Sequence, residues 1–229
     1  NVVAQCALRS DGLLWQAEQR LYADDTWGQR DFLGATDERF RPVDARNGPD
    51  GALYIIDMYR GIIQDDHFLT DELREQIFQR QLESPIGMGR IWRVRHSDGP
   101  RPSSPALGEA STEALVAALA HDNGWVRDTA QRLLLGNDAA VDEQLAELTL
   151  ADNSLAAIHA LWALEGRGQL DNTLVKQVAQ LDDPQRQVHA LRAGRSQLTV
   201  DDLLALESQL ATAAESVRTQ LVRPARDRL

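Results

Sequence analysis

Arg41, Asp44, Asp57, Tyr59 and Arg60 lie in or beside apolar, strand-like runs, and they are the first residues whose types could do chemistry. A guanidinium holds a carboxylate through a planar fork of donors, which makes Arg41 and Arg60 candidates for the cofactor side of a site that only an intact domain, with strands beyond these, would complete. The competing role is structural, with Asp57 and Arg60 tying strand ends together through ion pairs and turn hydrogen bonds. That role is the stronger expectation.

A second polar cluster comprises Glu38, Arg39, Asp65, Asp66 and His67. An Asp-Asp-His run holds the donor types that bind a divalent cation, but adjacent residues seldom all face one ion. A solvated loop is expected there, with no metal. His159 and His189 stand 30 residues apart, a spacing that sets them on neighbouring helices as a packing row and not as ligands. Trp15, Trp27, Trp92, Trp125 and Trp162 are scattered over both halves at core-like spacing, so packing is expected for them too. The nucleophile-elbow, zincin, P-loop and dinucleotide-binding motifs do not occur, and no catalytic residue is assigned.

Composition narrows the classes further. The 229 residues are 43% hydrophobic and carry 24 basic against 35 acidic side chains, a net charge of −11. Such a chain folds, and it repels phosphate backbones, so nucleic acid is not an expected partner. Cys6 is the single cysteine, which leaves neither an intrachain disulfide nor a Cys-x-x-Cys pair for zinc or covalent haem. No apolar run approaches the roughly 20 residues of a membrane span. The chain opens at Asn1 with no Met and no signal-like segment, and it reads as a piece of a longer protein.

Two periodicities organise the elements that position these residues. Leu13 to Trp15, Phe40 to Val43, Ala52 to Met58 and Ile91 to Val94 are short β-branched, aromatic and aliphatic runs that predict an antiparallel meander. Between two of them stand Asn47-Gly48-Pro49-Asp50-Gly51, in which Pro49 fixes φ, Asp50 accepts from backbone N–H groups ahead of it, and the Asn-Gly and Asp-Gly steps supply positive φ. Thr70 to Leu82 reads as an inserted helix capped by Thr70, with Leu73, Ile77 and Phe78 on one face.

Beyond a Pro- and Ser-rich linker the pattern becomes helical and repeats. Asp122, Asp152 and Asp182 recur every 30 residues, as do Ala130, Ala160 and Ala190. Each unit pairs a first helix, such as Glu113 to Ala120, with a second, such as Trp125 to Leu135, Asn153 to Leu164 or Pro184 to Arg192. The small Ala at the repeated position predicts close helix packing.

The run from Asp122 to Ala130, which contains Val126-Arg127, and the weaker Glu215-Ser216-Val217-Arg218 resemble HEAT repeats. In that family the Val is buried and the Arg bonds to the neighbouring repeat; the middle repeats here carry Ala156-Ala157 and Gln187-Val188 instead. The segments Phe40 to Gly61 and Pro85-Ile86-Gly87-Met88-Gly89-Arg90-Ile91-Trp92-Arg93-Val94 resemble the closing part of a β-propeller in the quinoprotein-type sugar dehydrogenase superfamily. The order of parts is similar to that of large bacterial "membrane-bound dehydrogenase" proteins, in which a propeller is followed by HEAT-like repeats and a c-type cytochrome domain.

The resulting expectation is an α+β chain. Residues 1–97 form an antiparallel β-meander, a propeller-blade remnant with a helical insertion near 70–83; 98–109 form the linker; and 110–229 form an α-solenoid of HEAT/armadillo-type helical pairs. The resemblance implies a non-catalytic C-terminal fragment whose solenoid positions a redox or partner domain. It implies pyrroloquinoline quinone with calcium and c-type haem in the parent, none of them in this chain, and a periplasmic or extracytoplasmic setting. Unpaired strand edges offer a route to a homo-oligomer. The alternative is a free-standing protein–protein interaction scaffold with no redox role.

Overall fold

The structure, a computed structural model, describes residues 2–11, 14–98, 104–136 and 141–226, and the side chains of all of these except 11, 66 and 222–226. It is an α+β arrangement in which short strands come first and helices follow. The main division into two compact units falls between Ser103 and Ser104.

The strand unit holds nine strands among the described residues: β1 (Val2–Val3), β2 (Gln5–Asp11), β3 (Leu14–Arg20), β4 (Tyr22–Asp24), β5 (Gly28–Arg30), β6 (Leu33–Gly34), β7 (Pro42–Asn47), β8 (Leu53–Asp57) and β9 (Arg90–Val94). They do not form one meander. β1 pairs with β6, β2 with β3 and β4 with β5, and only β7, β8 and β9 make a three-stranded antiparallel sheet. Strand length accounts for two of the isolated pairs, since β1, β4, β5 and β6 have only two or three residues each, whereas β2 and β3 have seven each and still pair only with one another. In the β4–β5 turn Asp24 accepts from the N–H groups of Thr26 and Trp27, both at 3.0 Å, and Gly28 closes the turn at φ +74°.

The turn between β7 and β8 works differently from the two-glycine expectation. Gly51 takes the left-handed angle, φ +73°, but Gly48 is not among the positive-φ glycines. Gly48 is needed for space: a Cβ there would lie 2.2 Å from Cε2 of Tyr54. Its N–H bonds to the carbonyl of Ala52 at 2.9 Å, and its carbonyl accepts from Gly51 at 3.1 Å. Behind this turn, Phe40, Ala52 and Ile55 are buried.

Between β8 and β9 runs helix α1 (Asp71–Gln79), started by Thr70, whose hydroxyl accepts from the N–H of Leu73. Ile77 is its buried anchor. Phe78 does not join it: successive helical residues point about 100° apart, and Phe78 is 78% exposed.

The helical unit contains α2 (Thr112–Ala118), α3 (Gly124–Leu135), α4 (Asp142–Leu150), α5 (Ser154–Gly166), α6 (Asn172–Ala179), α7 (Pro184–Ala193), α8 (Val200–Gln209) and α9 (Glu215–Arg226). They pair as successive hairpins, α2 with α3, α4 with α5, α6 with α7 and α8 with α9, and the second helices pack in series as α3–α5–α7–α9. Asn123, Asn153 and Asp183 cap α3, α5 and α7 by accepting N–H groups of the first turn. These caps also recur every 30 residues, one position after the aspartates at 122, 152 and 182. Pro184 follows its cap in the first turn, where no N–H is required.

Ala130, Ala160 and Ala190 are fully buried at the centres of α3, α5 and α7. Around them Leu134, Leu161, Leu164 and Leu191 fill one continuous core, each contributing about 1.5–3 kcal/mol by burial. The expected linker does not extend to residue 109. Leu107 is apolar and sits in this core, within a 3-10 turn over Leu107–Glu109 that packs on α3. The expected linker residues 99–103 lie outside those described.

Candidate functional site

In the strand unit, Asp57 at the end of β8 is the centre of the polar network. Its carboxylate is fully buried and accepts five hydrogen bonds. Oδ1 takes the backbone N–H groups of Arg41 at 2.8 Å and Tyr59 at 2.9 Å. Oδ2 takes Arg90 Nε at 3.2 Å, Arg90 Nη2 at 2.9 Å and Trp92 Nε1 at 3.0 Å. Burial works to raise the Asp57 carboxyl, but the donors from Arg41, Trp92, Tyr59 and Arg90 together hold it below its ordinary value.

Strand geometry delivers this arrangement. Arg90 stands opposite Asp57 in the β8–β9 register, and Trp92, two residues on, shares its face. The Arg90 guanidinium lies 3.9 Å from the Tyr59 ring centroid and 4.8 Å from that of Trp92. Tyr59 reaches that position through a left-handed backbone, φ +50°, an angle that disfavours a side chain this size. Its side chain also bonds to Asp37.

The two arginines expected to grip a cofactor meet through the side chain of one and the backbone of the other. Arg41 spends its Nε on the carbonyl of Arg60 at 3.2 Å and its Nη2 on that of Gly61 at 2.9 Å. Arg60 is half-buried and enters through that carbonyl. Asp44 is engaged locally, by the N–H of Ala45 at 2.8 Å and Arg46 Nε at 3.0 Å. At the β7–β8 turn Asp50 takes the N–H of Ala52 and the Tyr54 hydroxyl, both at 3.1 Å, and pairs with Arg93.

The second cluster is dispersed. Glu38 pairs with Arg80. Arg39 crosses to the end of α1, where its Nη2 donates to the carbonyl of Gln81 at 2.9 Å and its Nε to that of Ser84 at 3.1 Å. Asp65 faces His67 at 3.0 Å, and the Asp66 side chain lies outside those described. Among the described residues no three His, Cys, Asp or Glu side chains converge as metal ligands.

A cleft of about 300 Å³ opens beside this network, with Leu33, Phe40, Trp92 and Val94 as apolar walls and Asp37 and Arg90 at its polar side. Its charged groups already serve the fold, Arg90 through Asp57 and Asp37 through the N–H of Arg39 at 2.9 Å. This arrangement fixes strands; it does not set a nucleophile against a base. Trp15 and Trp27, expected to pack, are 66% and 78% exposed, because β3 and the β4–β5 turn leave these faces uncovered among the described residues. Trp125 and Trp162 do pack, against the helical core.

In the helical unit the polar groups bridge hairpins. Val126 is buried, and Arg127 donates through Nη1 to the carbonyls of His121 at 2.7 Å and Asp122 at 2.9 Å, and through Nε to His159 on α5 at 3.3 Å. The middle hairpins, without an Arg at that step, are bridged by other residues. Arg167 reaches the carbonyl of Leu134 at 2.7 Å, and Arg186 that of Ala151 at 2.7 Å. Ser154 on α5 bonds to the Asp183 cap, and Asn172 and Lys176 on α6 bond to Asp202 on α8 at 2.8 and 3.0 Å.

Residues 1–98 match a family model described as a domain of unknown function (DUF7133). No curated protein and no solved structure matches the chain. The match ends within four residues of the last strand, so it covers the strand unit with its Asp57 network and leaves the helical hairpins outside.

The sequence pairs Asp57 with Arg60 in tying strand ends together, whereas its partners in the structure are Arg90, Trp92 and the backbone N–H groups of Arg41 and Tyr59. The i, i+2 spacing of Arg90 and Trp92 on a strand carried that signal.

Proposed function

We propose that the chain is a non-catalytic scaffold, in which a HEAT-like, armadillo-type α-solenoid positions a redox or partner domain beside the closing strands of a quinoprotein-type propeller. The observation that carries the scaffold reading is the buried Ala130, Ala160 and Ala190 column on serially packed second helices. A repeated small residue at a helix seam is what stacked repeats need, and stacked repeats present extended surfaces that hold partners. The polar groups of the strand unit support the non-catalytic part, since Asp57, Arg41 and Asp50 are engaged in holding strands and turns. The propeller and dehydrogenase part rests on the sequence resemblance.

Under this reading pyrroloquinoline quinone, calcium and haem belong to other parts of the parent polypeptide. The test is the intact reading frame, assayed with and without residues 104–229. Loss of the helical unit should leave cofactor reduction by substrate intact and slow transfer to the cytochrome domain. Equal transfer rates would refute the positioning role.

The internal engagement of Asp57 and Arg41 also favours the second reading, a protein–protein interaction scaffold with no redox role. A reading frame with neither further upstream strands nor a downstream Cys-x-x-Cys-His would decide for it.

A further inference from the structure

One histidine closes each of two successive seams between second helices, and in both it accepts from a group that can only donate. His159 on α5 takes Arg127 Nε of α3 on its Nε2 at 3.3 Å and faces Gln131 Oε1 with its Nδ1 at 2.7 Å. A guanidinium has no acceptor, so Nε2 is bare and Nδ1 carries the proton. His189 on α7 takes the indole Nε1 of Trp162 on α5 on its Nδ1 at 2.9 Å, with the rings edge to face at 6.1 Å. An indole N–H likewise only donates. Each imidazole therefore fits its seam as the neutral form alone.

We propose that the stack of second helices is a pH-responsive joint: a proton on His159 or His189 removes the acceptor that ties one hairpin to the next, and the stack loosens in mildly acidic surroundings. The new N–H would point at a donor across the seam, with nothing to receive it.

Burial first, and then neighbouring cations, oppose protonation at both sites. Burial, and then Arg127, hold His159 below the ordinary histidine value, while Asp128 pulls the other way. Burial, then Arg192, then His159 itself hold His189 down. Of the first helices, α4 carries Asp142, which pairs with Arg167, and the exposed Glu143 and Glu147, while α6 carries Lys176, which pairs with Asp202. α9, which packs on α7, carries Glu215 and Arg218 among its described side chains, both of them exposed.

The sign follows from the direction of these shifts. The unfolded chain, with histidines near pKa 6.5, takes up protons before the folded one. Stability is whole above about pH 6.5 and is lost as pH falls through the lower folded values.

The test compares the 229-residue chain with the double variant His159→Gln, His189→Asn. In the variant, amide oxygens replace the accepting nitrogens and do not titrate. Thermal melts followed by the helical circular dichroism signal at about pH 7.5 and about pH 5.5 bracket the histidine range. The wild-type midpoint should fall by more than that of the variant, and equal falls would overturn the proposal. Should the double variant not fold, NMR titration of the five imidazoles in the wild type decides. His159 and His189 should both titrate below about 6.5, and a value at or above it for either overturns the proposal.

Discussion

Trp92 donates its indole N–H to Asp57 at 3.0 Å across the β8–β9 ladder, on the same carboxylate oxygen that receives Arg90. This shared oxygen makes Asp57 the keystone of the three-stranded sheet. Asp57→Asn turns an acceptor into an NH₂ facing two donors, leaving Arg90 and Trp92 without their partner. Asp57 is buried but the Arg90 side chain is 38% exposed, so leaving these donors unpaired costs about 1–3 kcal/mol and not the larger penalty of a fully buried pair. Urea unfolding of the strand unit should show a loss of that order, and a loss below about 1 kcal/mol would show that the network is ornamental.

The same carboxylate sets an acid limit. The donors around Asp57 hold it below its ordinary value, so its contribution is complete above about pH 4 and is lost as pH falls through the lower folded value. Tryptophan fluorescence should report the strand unit opening in that acid window. In the Asp57→Asn variant the pH dependence below about pH 4 should flatten; an unchanged profile would assign acid unfolding to other groups.

Gly48 is a matter of space and not of backbone angle. A Cβ there meets the Tyr54 ring at 2.2 Å, whereas one at Gly108 meets nothing within 4 Å. Gly48→Ala should therefore cost about 1–3 kcal/mol by overpacking, and Gly108→Ala should stay within about 0.5 kcal/mol. Equal unfolding midpoints for the two variants would contradict this account of the turn.

Pyrroloquinoline quinone should not bind the isolated chain tightly, because the arginines suited to a carboxylated cofactor are turned to protein groups, Arg41 to two carbonyls and Arg90 to Asp57. Calorimetry with the quinone and calcium should give no dissociation constant below about 10 µM, a binding free energy of roughly −7 kcal/mol. A tighter constant would make the strand unit a cofactor site in its own right.

The sequence showed long periodic elements more clearly than short ones. The second helices and their 30-residue interval were legible because apolar and small residues recur over many turns, and Ala130, Ala160 and Ala190 all reach full burial. The inserted helix is legible from Thr70 onward, although apolar type alone sets Phe78 on the face of Ile77, and in the structure Ile77 is buried while Phe78 is exposed. The pairs β1–β6 and β4–β5 were not legible, since two or three residues carry no period. The bridges of the middle hairpins were hidden for another reason. They run from Arg167 and Arg186 to backbone carbonyls, which every residue possesses and no sequence pattern marks.

The register of the helical hairpins underlies the scaffold reading, and Ala160 tests it most directly. Ala160 is fully buried at the centre of α5, between α3 and α7 in the series of second helices. A leucine there has no room, and overpacking should cost about 1–3 kcal/mol. Gln144 on α4 is exposed, and Gln144→Leu should change stability by no more than about 0.5 kcal/mol. Thermal melts of the two variants followed at the helical signal should show a clearly lowered midpoint for Ala160→Leu alone. Equal midpoints would mean that the alanine column does not face a packed seam and that the stacked-repeat account is wrong.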